Sequence, residues 1–555
     1  MSATTADRMG RHAPVLVVGA GPAGLVTAIG LARLGVRPIV VERGRGVTPA
    51  PRGNVLGTRT AEILRSWSLE DQLRGLAVDA VPALRSADTL ADAEDLLDLV
   101  PRAGGPTAGG AADVLSPTAP IVVGEDALES VLRAHLQAYG VPVVSGLDLA
   151  SLRQDEHGVT AVLAERRRRR RLTVQAQYVV GADADGARLR ALADVAMGGP
   201  EQLERYVGTL FRAPLAGRAP ASAQYAATAV LAPEGVGIFQ PMGADDRWLF
   251  SAPRPPWLPS AADDGRAARE RFVRAAAGLR DLDIEVLDVS EHAFAAQVAD
   301  RYRVGRAFLA GEAAHRVTPR GTSSVDAAVE DGYNLAWKLA FVLGGWAGDD
   351  LLDTYESERR PAAVASAERA LRGARSYGPL APLAPPDQLG DVAGGLPTTY
   401  GSGALADDGT DPDAEAESAG RSARPGARAP HLWLGRDGDC VSTVDLFDGV
   451  VTLLLGSDGD RWRAAAAHPA RGSSVPLRTY TVGAPGCVRD PRAQFAELYG
   501  IDPDGAVLVR PDGIVAWRAR TVAGRNPAAD LTHAMSALMG TPPTPRPTEL
   551  DAVSA

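Results

Sequence analysis

Three closely spaced glycines near the start of the chain could bind a phosphate group. They occur in the order Gly19-Ala20-Gly21-Pro22-Ala23-Gly24, after a β-branched segment at 15–18 and at the start of a helical pattern at 22–34. In such a turn the first glycine permits the bend, the second lets the backbone approach a pyrophosphate, and the third allows close helix–strand packing. The N–H groups at the N-terminus of the helix then face the phosphates.

A carboxylate follows this loop at a spacing that suits ribose binding. Glu42 comes directly after the next predicted strand, residues 37–41, where a carboxylate can accept hydrogen bonds from an adenosine ribose. Strand, helix and strand in this order predict a β-α-β unit with parallel strands. These features predict a dinucleotide site without deciding which dinucleotide is bound. The alternative is a glycine turn with a purely structural role.

A second polar turn lies in the middle of the chain. A predicted strand at 306–310 runs into Gly311 and Glu312, and the loop 318–326 precedes a helix predicted for about 327–343. Together they place a carboxylate and a set of backbone N–H groups at a second helix N-terminus. Such a site can hold ribityl hydroxyls and the negative end of a reduced flavin.

These motifs belong to a wider pattern that resembles the class A flavoprotein aromatic hydroxylases, the p-hydroxybenzoate hydroxylase-like family. The sequence is most similar in appearance to the members that act in aromatic polyketide and indolocarbazole biosynthesis. The resemblance covers most of the chain. Besides the glycine loop, it rests on Pro51-Arg52, on Arg59-Thr60 with 62–65, and on the segments 178–183, 305–315 with Pro319, 334–340 and 355–361.

The resemblance implies an FAD-dependent monooxygenase that uses NAD(P)H and O2. Its expected substrate is a polycyclic aromatic natural-product intermediate, an aromatic polyketide of antibiotic biosynthesis. Hydroxylation, epoxidation and Baeyer–Villiger oxidation stay open, as does the choice between NADH and NADPH. The alternative is a protein of the same fold with eroded flavin motifs, which acts as a non-redox or auxiliary pathway protein.

The resemblance also implies which residues hold FAD. Glu42 would bind the ribose, Arg52 would lie near the phosphates, and Asp183 would lie close to the cofactor or to the entry region of NAD(P)H. The loop after Pro319 would line the isoalloxazine, so Pro319 and Asp326 are the candidates near the reacting atoms, and no catalytic residue is identified. The residues expected to bind FAD are Gly19, Gly21, Pro22, Ala23, Gly24, Glu42, Arg43, Arg52, Glu125, Asp183, Gly311, Glu312, Pro319, Gly321, Ser324, Val325 and Asp326.

Several of these positions depart from the family pattern, which usually has Gln at 125, Asp at 312, Gly at 324 and Asn at 326. Asp326 allows two interpretations. A carboxylate directed at the flavin would oppose its anionic reduced form by roughly 3 kcal/mol. A carboxylate that caps its own helix would leave the flavin chemistry unchanged. His315, which follows the second motif, is interpreted as structural.

The order of the predicted elements, with the resemblance, indicates an α/β fold: a Rossmann-like FAD-binding domain, an inserted β-rich substrate domain and a C-terminal thioredoxin-like domain. Phe239, Pro241 and Trp248 are expected to face the substrate from the inserted sheet. The predicted boundaries are 1–190 for the first part of the FAD-binding domain (with a small contribution to the substrate domain near 75–115), 191–300 for the substrate domain, 301–375 for the second FAD-binding part with a long helix, 376–424 for a linker, and 425–545 for the thioredoxin-like domain.

Composition narrows the classes of partner. The 555 residues carry a net charge of -10, which argues against nucleic acid. The polar first dozen residues and the glycines within 15–34 argue against a signal peptide and a membrane span, so a cytoplasmic location is expected. Cys440 and Cys487 are the only cysteines, without a C-x-x-C or metal-ligand spacing, so neither a dithiol centre nor a metal site is predicted. A monomer and a homodimer are both compatible.

Overall fold

The computed structural model describes residues 11–44, 46, 53–92, 115–165, 170–183, 187–219, 224–231, 235–243, 245–261, 263, 265–317, 324–377, 399–401, 403–406, 408, 423–447, 449–467 and 475–540. Its backbone contacts divide the α/β chain into two units. The first is Met1–Tyr333 with Arg359–Thr398, and the second is Asn334–Glu358 with Thr399–Ala555. Among the helices in these ranges, none has the length and apolar character needed to cross a membrane.

Most of the described strands lie in the first unit. They are β1 (His12–Val18), β2 (Ile39–Glu42), β3 (Val55–Leu56), β4 (Val81–Ala87), β5 (Ile121–Val122), β6 (Val143–Ser145), β7 (Leu147–Gln154), β8 (Val159–Glu165), β9 (Arg170–Gly181), β10 (Met197–Gly198), β11 (Glu204–Arg212), β12 (Tyr225–Val230), β13 (Gly237–Pro241), β14 (Arg247–Pro253), β15 (Glu285–Phe294), β16 (Ala296–Ala299), β17 (Arg303–Val304), β18 (Ala307–Leu309) and β19 (His315–Val317).

The helices up to residue 377 include two long ones inside which the unit boundaries fall. They are α1 (Pro22–Arg33), α2 (Thr58–Ser66), α3 (Glu70–Arg74), α4 (Glu125–Ala138), α5 (Ala187–Leu192), α6 (Leu215–Arg218), α7 (Arg266–Ala277), α8 (Ser324–Leu343) and α9 (Asp350–Tyr377).

Parallel strands form the centre of the first sheet. Along the described chain its order is β17-β18-β9-β1-β2-β6, and β7 and β8 extend it from β9 as antiparallel strands. The pairs β18–β9, β9–β1, β1–β2 and β2–β6 are parallel. Residues 15–18 of β1 are buried throughout, as expected for a parallel strand that is covered on both faces.

A second sheet, with the order β15-β11-β14-β13-β12-β4, packs one face against helix α7. Its strands are antiparallel except for β4, which pairs with β12 in parallel. Phe239, Trp248 and Phe250 form a core with Phe272 and Val273 of α7. Because successive side chains of a strand point to opposite faces, the neighbouring residues of β13 and β14 point away from this helix.

The second unit has its own strands and helices beyond residue 399. As described, they are β20 (Trp433–Arg436), β21 (Asp439–Ser442), β22 (Val451–Leu455), β23 (Leu477–Thr481), β24 (Ala506–Val509), β25 (Val515–Ala519), α10 (Asp460–Ala467), α11 (Phe495–Tyr499) and α12 (Pro527–Met539). Four of the strands form a sheet with the order β23-β22-β24-β25, in which β22 and β23 are parallel and the other pairs are antiparallel. The unit also contains a hairpin of β20 and β21 and a separate apolar core.

Part of the predicted linker belongs to the second unit. Tyr400 donates its backbone N–H to the carbonyl of Gly426, and Ala406 donates to Ala516 in β25. The carboxylate of Asp408 accepts a hydrogen bond from Arg518 at 2.8 Å. The polar, glycine-rich composition of 376–424 predicted a linker, but at these residues a few buried side chains and backbone hydrogen bonds fix the chain to the second unit. The rest of the linker lies mostly outside the described residues.

Four fully buried charges join two distant segments of the second unit. Glu358 accepts hydrogen bonds from Lys338 at 2.7 Å and from two nitrogens of Arg510 at 2.7 and 2.8 Å. Arg510 also binds Asp512 at 2.6 Å and lies against the ring of Trp337. Burial lowers the pKa of Lys338 to about 8. Burial alone would raise the pKa of Glu358, but Arg510 and Lys338 hold it below its usual value.

We expect Glu358→Gln to destabilise the second unit far more than Lys338→Met. Removal of the Glu358 charge leaves Lys338 and Arg510 buried with Asp512 alone, which costs about 3–5 kcal/mol. Removal of Lys338 leaves Glu358 paired with Arg510 and removes a cation whose charged form burial already disfavours. Chemical denaturation of both variants measures the difference, and equal losses would show that the two partners contribute alike.

Candidate functional site

The carboxyl ends of four neighbouring parallel strands carry the predicted cofactor residues. In the backbone register, Val18 of β1 pairs with Gly181 of β9, and Gly181 pairs with Leu309 of β18. The glycine loop, Asp183 and Glu312 follow these strand ends, and Glu42 ends β2 on the other side of β1. The structure thus brings the two motifs to one edge of the first sheet, which is where open α/β sheets bind ligands.

The three glycines of the first loop have different surroundings. A Cβ at Gly19 would lie 2.5 Å from backbone atoms of Ala182, and one at Gly24 would lie 2.1 Å from the carbonyl oxygen of Gly19. A Cβ at Gly21, the N-cap of α1, would meet no atom within 4 Å. The outer two glycines therefore allow close packing, whereas the middle one leaves space in front of the first turn of the helix. That space fits a pyrophosphate group.

The carboxylate of Glu42 lies over the glycine loop. One oxygen accepts a hydrogen bond from the backbone N–H of Ala20 at 2.9 Å, and the other accepts from Gly44 at 2.6 Å. These two bonds fix the carboxylate beside the start of α1, where an adenosine ribose next to the pyrophosphate would lie. Arg43 follows Glu42 and is partly buried.

Sequence reasoning missed Arg133, a cation behind the same loop. It lies on α4 and donates from one guanidinium nitrogen to the carbonyl of Ala20 at 3.1 Å. Its Nε is buried and has no hydrogen-bond partner within the described part of the chain. A partly buried cation with an unused donor beside an open helix N-terminus fits an anionic group such as the phosphates of FAD. The available signal was its position on α4, the helix that begins with the candidate Glu125.

The second motif begins with a tight turn that packs against the first. Gly311 has a φ of +61°, and a Cβ there would lie 2.8 Å from the Cβ of Ala23 in α1. Its backbone N–H donates to the buried carboxylate of Asp331 at 3.0 Å. Glu312 is the next residue and lies in the short 3-10 turn Gly311–Ala313. The two predicted halves of the cofactor site are therefore in direct contact.

Asp326 contacts a helix other than the one on which it lies. Its carboxylate accepts hydrogen bonds from the backbone N–H of Gly57 at 2.9 Å and from the hydroxyl of Thr60 at 2.5 Å. Gly57 is the N-cap of α2, which has no side-chain cap of its own. Asp326 thus binds the N-terminus of a different helix from its own, and it accepts the N-cap N–H that an N3 side chain accepts in a capping box.

The remaining predicted residues divide into two groups. Ser324 and Val325 are the first two residues of α8, and Glu125 is the first residue of α4. Arg52, Pro319 and Gly321 lie outside the described residues.

The expected substrate-facing residues of the second sheet need a correction. Phe239 and Trp248 are buried in the core with α7, on the face that the helix covers. Pro241 pairs with Trp248 in the register and therefore shares that face. The prediction was wrong for Phe239 and Trp248 because aromatic residues in a strand sequence do not reveal which face a helix covers.

The opposite face of the sheet contacts the segment that leads into α2. Ile238 and Gln240 alternate with Phe239 and therefore lie on this face. Gln240 donates to the side chain of Asn54 at 2.9 Å, and the amide of Asn54 donates to the carbonyls of Ala226 and Pro241. Sequence reasoning missed Asn54, which is buried just before β3 and joins this face to the segment that leads into α2.

Matches to two protein-family models show which family the chain belongs to. Residues 12–370 match a family of FAD binding domains, and residues 422–542 match the C-terminal domain of aromatic-ring hydroxylases. The chain belongs to the FAD-dependent aromatic-ring hydroxylases. Its open glycine loop, the Glu42 carboxylate and the partly buried Arg133 cation fit FAD.

Named relatives of this hydroxylase are similar over nearly its whole length. Aklavinone 12-hydroxylase of Streptomyces purpurascens is 36% identical over 529 residues, which cover 91% of this chain and 95% of the relative. The structure of the flavin-dependent monooxygenase PieE with FAD and substrate has a TM-score of 0.85 at 31% identity, with 95% and 99% coverage. That of aklavinone-11 hydroxylase with FAD and aklavinone has a TM-score of 0.81 at 34% identity, with 96% and 100% coverage.

We expect Gly21→Val to remove FAD and to leave the fold intact. The φ of -78° at Gly21 suits valine, and the new side chain would occupy only the space in front of α1. FAD binding should weaken at least about tenfold, measured by flavin fluorescence, while the melting temperature of the apoprotein stays close to that of the wild type. Gly24→Ala is the matched control, since its Cβ meets the Gly19 carbonyl and should lower that melting temperature. Wild-type FAD affinity in Gly21→Val would place the pyrophosphate elsewhere.

We expect Asp326→Asn to lower stability by about 1 kcal/mol and to leave the flavin midpoint potential nearly unchanged. Both hydrogen bonds end at Oδ1, so the amide oxygen of Asn can keep them but loses the negative charge that strengthens them, and this side chain is directed at α2. Thr60→Val, which removes only the hydroxyl donor, should give a similar loss. Potentiometric titration of both variants checks this, and a clear rise in potential for Asp326→Asn alone would mean that its charge acts on the flavin.

Proposed function

We propose that this protein is a monooxygenase that uses FAD, NAD(P)H and O2 to oxygenate a polycyclic aromatic intermediate of natural-product biosynthesis, an aromatic polyketide. The observation that carries the proposal is the fit of the glycine loop and its surroundings to FAD in a chain that matches the hydroxylase family over both units. The named relatives act on compounds of this class. Hydroxylation is the outcome that their names favour.

The residues of the chain would hold FAD in an extended arrangement along the sheet edge. The N-terminus of α1, the space at Gly21 and the cation of Arg133 would take the pyrophosphate, and Glu42 would take the ribose. Asp183, Glu312 and the first turn of α8 would lie towards the flavin. Bound FAD supplies the redox chemistry with NAD(P)H and O2, while the protein orients the substrate and excludes water.

The substrate would lie against the face of the second sheet that α7 does not cover. This face offers the apolar side chain of Ile238 and the amide of Gln240, which are both only partly buried. Apolar surface with a few fixed polar groups suits a polycyclic aromatic that carries hydroxyl or carbonyl oxygens. The Asn54 contact fixes the orientation of the Gln240 amide towards such groups.

We further propose the finer domain arrangement. The first sheet with α1 and α8 would form the Rossmann-like FAD-binding domain, with boundaries near 1–190 and 301–375. The second sheet would be the inserted substrate domain at about 191–300, with β4 as the contribution from 75–115. The four-stranded sheet at 425–545 would be thioredoxin-like. Its cysteines are an exposed Cys440 and a partly buried Cys487 without C-x-x-C spacing, which favours a structural role.

Turnover with aromatic polyketides tests the function. The purified protein should contain FAD, and an anthracyclinone should accelerate NAD(P)H oxidation and yield a product that carries one oxygen atom from ¹⁸O2. Gly21→Val, purified without added FAD, serves as the flavin-depleted control. If the protein binds FAD but none of the polycyclic substrates changes its rate of NAD(P)H oxidation, the result would instead favour an auxiliary role.

A pair of tryptophan substitutions tests the assignment of the face. Ile238→Trp would fill the proposed substrate side and should raise KM at unchanged FAD content. Leu287→Trp, at a position 37% exposed on β15, should leave KM unchanged. An unaltered KM in Ile238→Trp would place the substrate elsewhere.

A further inference from the structure

A buried charged cluster lies behind the second motif and outside the residues that the family pattern assigns to FAD. It consists of Asp331 on α8, His315 at the start of β19 and Arg359 on α9, with side chains at most 3% exposed. One carboxylate oxygen of Asp331 accepts the hydrogen bond from Gly311 and lies 2.9 Å from Nε2 of His315. The other oxygen accepts from Nε of Arg359 at 2.7 Å.

The partners of Asp331 keep it charged. Burial alone would raise the pKa of Asp331, but Arg359 and His315 hold it below its usual value. Arg359 is itself fixed to α8, because it also donates to the carboxylate of Glu330 at 2.6 Å and to the carbonyl of Ala327. An ionised carboxylate only accepts hydrogen bonds, so His315 must donate from Nε2. Asp331 therefore receives three donors in a fixed arrangement.

The hydrogen bond to Gly311 reaches the cofactor turn itself. Gly311 adopts a positive φ, begins the turn that carries Glu312, and packs against Ala23 of α1. The residue after Asp331 contacts the same helix, since a Cβ at Gly332 would lie 2.6 Å from the carbonyl oxygen of Ala23. Two successive residues of α8 thus hold the turn and the phosphate-binding helix in one spatial relation.

We infer that Asp331, oriented by His315 and Arg359, is a positioning residue for FAD, which fixes the Gly311–Ala313 turn through the Gly311 N–H without contacting the cofactor. The inference rests on the proposed use of FAD, not on the identity of the substrate. It also gives His315 a specific task, namely to orient the carboxylate that holds the turn. A cluster with a merely structural role would affect folding and leave the flavin properties alone.

Asp331→Asn is the informative substitution, because it keeps the size of the side chain but replaces one of the two accepting oxygens with an NH2 group. If the amide oxygen accepts from Arg359, the NH2 group faces two other donors, Gly311 N–H and His315 Nε2. We expect FAD binding to weaken at least about tenfold, with a changed flavin midpoint potential and visible spectrum. Glu358→Gln, which breaks the buried cluster of the second unit, is the matched control and should lower stability with wild-type FAD affinity.

A second pair of variants keeps the test decisive if Asp331→Asn fails to fold. His315→Leu leaves Asp331 with two of its three donors and should weaken FAD binding by several-fold, whereas His315→Gln retains an N–H donor and should restore most of the affinity. FAD affinity is measured by fluorescence quenching and the flavin midpoint potential by dye-coupled titration, and both are independent of turnover.

Two outcomes would overturn the inference. One is a folded Asp331→Asn or His315→Leu variant with wild-type FAD affinity and potential, and the other is an equal loss of FAD affinity in Glu358→Gln. A wild-type protein that binds FAD but oxygenates no aromatic would overturn only the proposed function, and one that binds no FAD would overturn both.

Discussion

The register of three parallel strands is the constraint on which the candidate site depends. Val18, Gly181 and Leu309 are aligned, so the segments that follow them leave the sheet at one edge although they are far apart in the chain. A slip of one residue in either pairing would turn every side chain of that strand to the other face. The pairing therefore places the glycine loop and the Glu312 turn within contact of each other, and the close packing of Gly311 on Ala23 is possible only in this register.

Helix α8 fixes the positions of the loops that follow these strands by contacting three of the surrounding segments. Asp326 near its N-terminus binds the start of α2, and Asp331 and Gly332 contact the second motif and α1. In each case at least one contact goes to a backbone group, namely Gly57 N–H, Gly311 N–H and the Ala23 carbonyl. The helix thus works as a spacer of fixed length between three loops, and its own rigidity limits how far these loops can move apart. Such support is what a precisely placed binding site needs from its surroundings.

Much of the fold could be predicted from the sequence because the relevant signals are local. The β1-α1-β2 order follows from a β-branched run, glycine spacing and helical periodicity. The orientation of side chains towards distant partners could not be predicted in this way. Asp326 looked like a cap for its own helix, yet its donors lie more than 260 residues earlier in the chain. Phe239 was misjudged because the sequence of a single strand does not show which face a helix covers. Asn54 was missed because its hydrogen-bond partners lie far along the chain.

The buried charges of the second unit impose an order on its assembly. Arg510 follows Glu358 by 152 residues. At a synthesis rate of about 5–20 residues per second, the ribosome needs on the order of ten seconds to reach it. During this interval the segment with Lys338 and Glu358 exists without the guanidinium that neutralises its carboxylate in the interior. The buried cluster cannot form until nearly the whole chain has been made, whereas every segment of the first unit has by then left the active centre of the ribosome.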